Sequence, residues 1–173
     1  MKQIYLLLAI SFLLLSCGNK SGQTTQNFCK DCDYTVQVTK ILDGDTFSGL
    51  TADNKEVRFR IYGIDAPEYR QAFSNKSKQY LSDLIYRQTV GIKIQEESDI
   101  YGRPVVWVYT TKGQDVGAEM LKAGMAWHFK RYDSSAEYEN LETQARQQKL
   151  GLWRDINPVA PWDFRKSSRS VFQ

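Results

Sequence analysis

The sequence predicts a mainly β domain with packed helices, of the α+β class. Three observations predict it. Five short strand-like runs, three of them alternating apolar and polar residues, are joined by three segments with apolar residues at helical spacing, and turn residues separate them. The 173 residues suit one domain with appendages.

In chain order, Tyr34, Val36 and Val38 alternate with Thr35, Gln37 and Thr39, giving a first half-buried strand. An Asp-Gly-Asp turn follows at residues 43–45, then a short strand segment at 46–50. Residues 52–55, ADNK, are turn chemistry. Val57, Phe59 and Ile61 alternate with Glu56, Arg58 and Arg60, which puts both arginines on the face opposite the apolar one. Residues 72–87 predict a helix with Phe73, Tyr80, Leu81, Leu84 and Ile85 on one face. Val90, Ile92 and Ile94 mark a fourth strand. Val106 and Val108, flanked by Val105, Trp107 and Tyr109, mark a fifth that is apolar on both faces and therefore central. Asp115 caps a short second helix ending at Gly124. Ser134 and Glu137 form a capping box for a third, with Tyr138, Leu141 and Ala145 as its buried stripe and Gly151 past its end. Residues 156–173 contain two prolines and read as an irregular tail. Five strands with a helix between the third and fourth fit a Greek-key barrel of the OB type with about three packed helices. Element order alone leaves an open α+β sheet as the alternative.

The N-terminus predicts export. Lys2 precedes residues 4–15, which are apolar except for Ser11; this is the length of a signal-peptide core and short for a membrane span. The run ends in Leu-Leu-Ser-Cys, which resembles a bacterial lipobox with Cys17 as the lipidated residue. The expected organisation is a signal peptide at 1–16, a lipid-anchored tether at 17–33, one domain at 34–155 and the tail. The protein is then a cell-envelope lipoprotein, periplasmic or at the outer membrane or cell surface, that meets membrane only through its anchor. An oxidising compartment suits a disulfide between Cys29 and Cys32, with free thiols as the alternative. Zinc is disfavoured, because His128 is the only histidine and no second cysteine pair exists. The formal net charge is +3, and no basic run advertises nucleic-acid binding by bulk charge. A polyanion would have to be met by a few placed cations.

Those cations and their partners fall in three motifs. The turn KILDGDTF places Asp43 and Asp45 around Gly44, and two neighbouring carboxylates repel unless a positive charge sits with them. RFRIYGIDAPE, residues 58–68, holds Arg60, Asp65 and Glu68, with Pro67 keeping Ala66 extended. DIYGR, residues 99–103, sets Arg103 before the central strand. Singly, each reads as ordinary surface charge. Together they describe one chemistry. Asp45 and Asp65 converge on a hard cation such as Ca²⁺, which accepts carboxylate and carbonyl oxygens and keeps room for water. Two arginines fork onto phosphate oxygens, and Glu68 orients or deprotonates an attacking water.

With DGDT, FRIYGIDAPE, DIYGR and the Leu-Gly-Leu-Trp ending of the last helix, the chain resembles the staphylococcal-nuclease (thermonuclease) family over about residues 34–153. The resemblance implies an OB-fold barrel and Ca²⁺-dependent hydrolysis of single-stranded or frayed DNA and of RNA. The 5′-oxygen bond is cut and 3′-phosphate ends remain. It makes Asp45, Asp65 and the backbone carbonyl of Ala66 the metal ligands, and Arg60, Arg103 and Glu68 the catalytic residues. Asp43 matches an acid near the metal that is not its principal ligand. Tyr101, Tyr132 and Lys130 become substrate contacts. Two positions depart from the family pattern. Ile100 stands where a phosphate-contacting lysine occurs, and Lys130 takes the place of one of two stacking tyrosines. A monomer with DNA and RNA as substrate is expected. The rival reading is a non-catalytic OB-fold module that binds nucleic acid, or a surface interaction lipoprotein. A degenerate binder would have lost some of Asp45, Arg60, Asp65, Glu68 and Arg103, and all five are present.

Overall fold

The computed structural model describes residues 29–170. The signal peptide expected at 1–16 and the lipidation expected at Cys17 lie outside the described residues. In chain order the elements are β1 (Tyr34–Ile41), β2 (Thr46–Leu50), β3 (Glu56–Ile61), β4 (Ile64–Asp65), α1 (Ser74–Ile85), β5 (Thr89–Glu96), β6 (Val105–Tyr109), α2 (Val116–Lys122), β7 (Trp127–His128), α3 (Ala136–Gln147), a 3-10 turn (Gly151–Arg154) and α4 (Pro161–Ser170).

The five longer strands close into a barrel in the order β1-β2-β3-β6-β5, so the expected barrel is present and the open sheet is excluded. All neighbours are antiparallel except β3 and β6, which run parallel. Closure follows from the alternation. Val36, Val38, Phe47, Phe59, Ile61, Val90, Ile92, Val106 and Val108 all point into one interior, where Phe47 stacks on Phe59 at 5.3 Å. Leu81 and Ile85 of α1 and Met120 and Leu121 of α2 join that core. A second, smaller core of Trp127, Ala145, Leu152, Trp153 and Ala160 lies on α3 and the C-terminal segment, with Trp162 packed against it.

Four details differ from the sequence expectations. The first helix is trimmed to Ser74–Ile85, because Phe73 and Arg87 both take left-handed backbone (φ 67° and 59°). The third is capped by Ser135, not Ser134: the Tyr138 amide donates to its hydroxyl at 3.4 Å, and Ser134 is exposed. The tail expected to be irregular contains α4. Pro161 stands at its first position, where its fixed φ and missing N–H do no harm, and Asp163 lies in its first turn. Residues 29–33, expected as tether, attach to the barrel edge. Cys29 and Cys32 are joined by a disulfide, the Asp33 amide donates to the Ile92 carbonyl at 2.8 Å, and Asp33 Oδ2 accepts the Ile94 amide at 2.7 Å.

The turns that carry the site are fixed by close packing. A Cβ on Gly44 would lie 1.8 Å from Ser77 Oγ and 2.7 Å from Ala66 Cβ, so only glycine lets the DGD turn rest on α1 and the 64–66 segment. Gly63 has φ 72°, and a side chain there would also strike the Tyr138 ring at 2.9 Å.

Candidate active site

Asp45 stands just before β2, and the turn points it at the next crossing of the chain. Its amide donates to Asp43 Oδ1 at 3.0 Å, and its carbonyl accepts the Ile61 amide at 2.8 Å. The side chain is locked by three donors. Oδ2 accepts the Ala66 amide at 2.6 Å, Oδ1 accepts the Thr46 hydroxyl at 3.0 Å, and Arg60 Nη1 pairs with Oδ1. Asp65 sits on β4, and Arg60 Nη2 reaches both its Oδ1 at 3.1 Å and the Ile64 carbonyl at 3.0 Å. One guanidinium therefore brackets both carboxylates.

That bracket answers the charge problem posed by the sequence. Asp45 is 6% exposed and Asp65 1%, and two such carboxylates need a counter-charge. Arg60 is delivered by β3, whose backbone is paired on both sides, to Thr46 on β2 and Val105 on β6. Burial pushes the Arg60 guanidinium below its ordinary value, against the pull of Asp65 and Asp43 upward; an arginine stays protonated regardless. Burial likewise pushes Asp43 up, more than Arg60, the bonds from Thr46 and Arg103 pull it down.

Arg103 enters from the loop before β6. Asp99 organises it: Oδ2 accepts Nε at 2.9 Å and Nη2 at 2.7 Å, while Oδ1 accepts the backbone amides of Tyr101 and Arg103, each at 2.9 Å. Burial opposes the charge on Asp99, but these bonds from Arg103 and the loop outweigh it and hold the carboxyl below its usual range. The remaining Nη1 touches Thr46 Oγ1 at 3.4 Å, and that hydroxyl in turn donates to Asp45. Arg103 is thus linked to the carboxylates through one hydroxyl.

Glu68 follows Pro67 on a turn closed by its amide donating to Gln71 Oε1 at 3.0 Å. Its carboxylate is bound by a residue that the sequence reading missed. Arg165 of α4 donates through Nη1 to Glu68 Oε1 and to Asp65 Oδ1 (3.2 Å), and through Nη2 to Asp65 Oδ2 (2.8 Å). Burial opposes its charge, but the bonds to Asp65 and Glu68 outweigh it and hold the Arg165 guanidinium above its ordinary value. The helix start Pro-Trp-Asp-Phe-Arg, with Pro161 at the first position, could have revealed α4, though not where its arginine reaches.

The expected substrate contacts are more scattered. Tyr101 is exposed on the Asp99 loop beneath the Arg103 guanidinium, 5.2 Å from ring centre to Cζ. Tyr132 is exposed, its ring edge against Phe129 at 5.0 Å. Lys130 pairs with Glu139 at 2.6 Å. Lys130 also lines a cleft of about 720 Å³ between α3 and α4, with Trp127, Phe129, Arg146, Trp162 and Arg165. The β4–β7 pairing sets Trp127 opposite Asp65, so this cleft adjoins the carboxylates.

The donor chemistry fits a hard divalent cation. Asp45 and Asp65 are paired carboxylates that already share a positive charge, and the Ala66 amide is bonded to one of them. Among the described residues no three of His, Cys, Asp and Glu gather around one point. An ion here would therefore draw its remaining oxygens from the Ala66 carbonyl and solvent.

The family model for the staphylococcal nuclease homologue matches residues 58–155. A protein of Haemophilus influenzae described as an uncharacterized endonuclease is 40% identical over 146 residues, covering 84% of this chain and 81% of that one. A micrococcal nuclease of Shigella flexneri is 38% identical over 149 residues, 80% of this chain and 84% of its own. A staphylococcal-like nuclease of Arabidopsis thaliana is 37% identical over 115 residues, 66% of this chain and 35% of its own.

Proposed function

The chain belongs to the staphylococcal nuclease homologue family, and on that premise we propose that it is a Ca²⁺-dependent nuclease. It hydrolyses phosphodiester bonds of single-stranded DNA and RNA, cutting the 5′-oxygen bond to leave 3′-phosphate ends. The observation that carries this reading is the bracket in which Arg60 joins Asp45 to Asp65, with Glu68 and Arg103 linked to it by single side chains. A binding module has no need of buried paired carboxylates, which repel a phosphate unless a cation intervenes.

Bound at Asp45, Asp65 and the Ala66 carbonyl, Ca²⁺ would supply positive charge to the phosphate. The chain's own groups do the rest. Glu68 orients a water and takes its proton as the water oxygen bonds to phosphorus. The bond from phosphorus to the 5′-oxygen breaks, and the leaving oxygen takes a proton from solvent. Negative charge grows on the phosphate oxygens meanwhile. Arg60, as its carboxylate partners take up the cation, and Arg103 supply guanidinium charge and N–H donors to it. Asp99 holds the Nε–Nη2 edge of Arg103, which leaves Nη1 facing the site.

Hydrolysis of single-stranded DNA by the purified protein, with Ca²⁺ and with excess chelator, tests the reading. Cleavage only with Ca²⁺, leaving 3′-phosphate ends, is expected. Full activity in chelator refutes the metal assignment, and inert protein with retained binding favours the module. The Leu-Leu-Ser-Cys ending supports export and anchoring through Cys17. Cys17→Ser should then release the protein from membranes of its host, and unchanged membrane association overturns that part.

A further inference from the structure

The C-terminal helix gives the carboxylate centre a ligand from its own chain. This inference rests on the nuclease reading of that centre. Arg165 donates to both oxygens of Asp65 and to Glu68, the expected metal ligand and the expected water-handling acid. Asp65 Oδ1 also accepts Arg60 Nη2. An ionised carboxylate offers about four acceptor positions, so most of those on Asp65 are taken. A divalent cation added to Asp65 would sit close to the Arg165 charge in a nearly buried place, where like charges are poorly screened. Cation and Arg165 therefore compete for Asp65. A water coming to Glu68 finds Oε1 already taken by Arg165 Nη1.

The seat of α4 is largely aromatic. The Trp162 ring stacks on Phe129 at 5.4 Å with an 8° interplanar angle, and its edge meets Trp127 at 5.6 Å. Gln71 Nε2 donates to the Val159 carbonyl at 2.6 Å just before the helix. The helix has ten residues, a length marginal in isolation, so its position depends on these contacts and on Arg165. Arg165 itself is 37% exposed at its side chain, whereas Arg60 is 14% exposed.

We propose that α4 is an internal ligand of the site: Arg165 occupies Asp65 and Glu68 in place of the metal ion and the attacking water, and binding of the metal ion displaces it. Removing the guanidinium should leave the carboxylates open to Ca²⁺. Lifting Arg165 also strains the Trp162–Phe129 stack, so metal binding should register in tryptophan emission.

The test compares the full wild-type chain with Arg165→Met and Arg165→Lys, using Ca²⁺ alone as the probe. Arg165→Met keeps the stem and removes the charge; matched near-ultraviolet circular dichroism confirms its fold. Calorimetry should show Ca²⁺ binding about tenfold tighter in Arg165→Met, the scale of a charge-assisted pair lost from competition, with Arg165→Lys between the two. Ca²⁺ should also change wild-type tryptophan emission saturably, and Trp162→Phe should remove most of that change. Equal or weaker Ca²⁺ affinity in Arg165→Met overturns the proposal, as does absence of Ca²⁺ binding in both proteins. Single-stranded DNA hydrolysis measured alongside separates the two readings. Unaltered hydrolysis with unaltered Ca²⁺ affinity leaves the nuclease standing and removes only the internal ligand. Loss of both hydrolysis and Ca²⁺ binding in wild type and variant alike removes both.

Discussion

Two cations reach Asp65 from distant parts of the chain, and the molecule holds them differently. Arg60 rises from β3, whose backbone is fixed by β2 on one side and β6 on the other, and it bridges Asp65 to Asp45. Arg165 comes from a short helix near the C-terminus, whose Trp162 packs against Phe129 and Trp127. Barrel strands carry the first guanidinium, while the second is held by its carboxylate partners and is the more exposed of the two. A site that must both neutralise its carboxylates when empty and admit a cation when used needs one charge of each kind.

The largest expected effect comes from breaking the barrel half of this arrangement. Asp45→Ala removes the acceptor of Ala66, Thr46 and Arg60 at once. Hydrolysis should fall below detection. Stability should drop by about 1–3 kcal/mol, the cost of leaving buried donors without a partner. Thermal unfolding and single-stranded DNA cleavage check the two separately; a variant with normal cleavage would dismiss Asp45 from the chemistry.

A smaller effect should follow from loosening Arg103. In Asp99→Asn the amide oxygen can still accept the Tyr101 and Arg103 backbone bonds, but the charge that aims the guanidinium is gone. Turnover should fall by about tenfold through lost orientation, with DNA affinity nearly unchanged. Because the Asp99 carboxyl is held below its usual range, its contribution to stability is present above the unfolded value of about 3.9 and is lost as pH falls through the folded one. The stability gap between wild type and Asp99→Asn should therefore close in acid, and a gap that persists there points to a role independent of the charge.

The smallest effect should be a gain. Burial pushes Asp43 up, so its ionised form is disfavoured in the fold. The stability it contributes is full below the unfolded value of about 3.9 and is lost as pH rises through the folded one. Asp43→Asn keeps an acceptor for the Asp45 amide and removes that charge. At pH 7 its Tm should rise by about 1–3 °C, and the gain should vanish in acid. A lower Tm at pH 7 would mean that Arg60 and Arg103 outweigh burial at this position.

Much of the barrel half was legible in the sequence because its signals are local. The alternation of residues 56–61 put Arg60 opposite the core, and the DGD and DAP turns fell at strand ends, where short side chains converge. Asp99 was present in the DIYGR motif, four residues before the arginine it holds. Its role was missed because the motif was weighed for its arginine alone. Arg165 was not legible. Its bonds to Glu68 and Asp65 span 97 and 100 positions, and no periodicity reports a contact made by packing at that distance. Two prolines made residues 156–173 look irregular, although one of them opens the helix. Ser135 rather than Ser134 caps α3 for a related reason. Ser135 also donates its hydroxyl to Asp133, itself bound to His128, and that buried cluster fixes where the helix begins.

The central claim is that Arg60 acts on charge developing in the reaction, from a position fixed in the barrel. Arg60→Lys keeps the charge but not the fork. The direct measurement is kcat for single-stranded DNA cleavage and Kd for the same strand without turnover, for wild type and Arg60→Lys at one fixed ionic strength. The account predicts a kcat lower by about 10²–10³, the scale for one donor aimed at a developing oxyanion, with Kd changed by no more than about threefold. A Kd that weakens in proportion to kcat would make Arg60 a ground-state anchor and contradict the account.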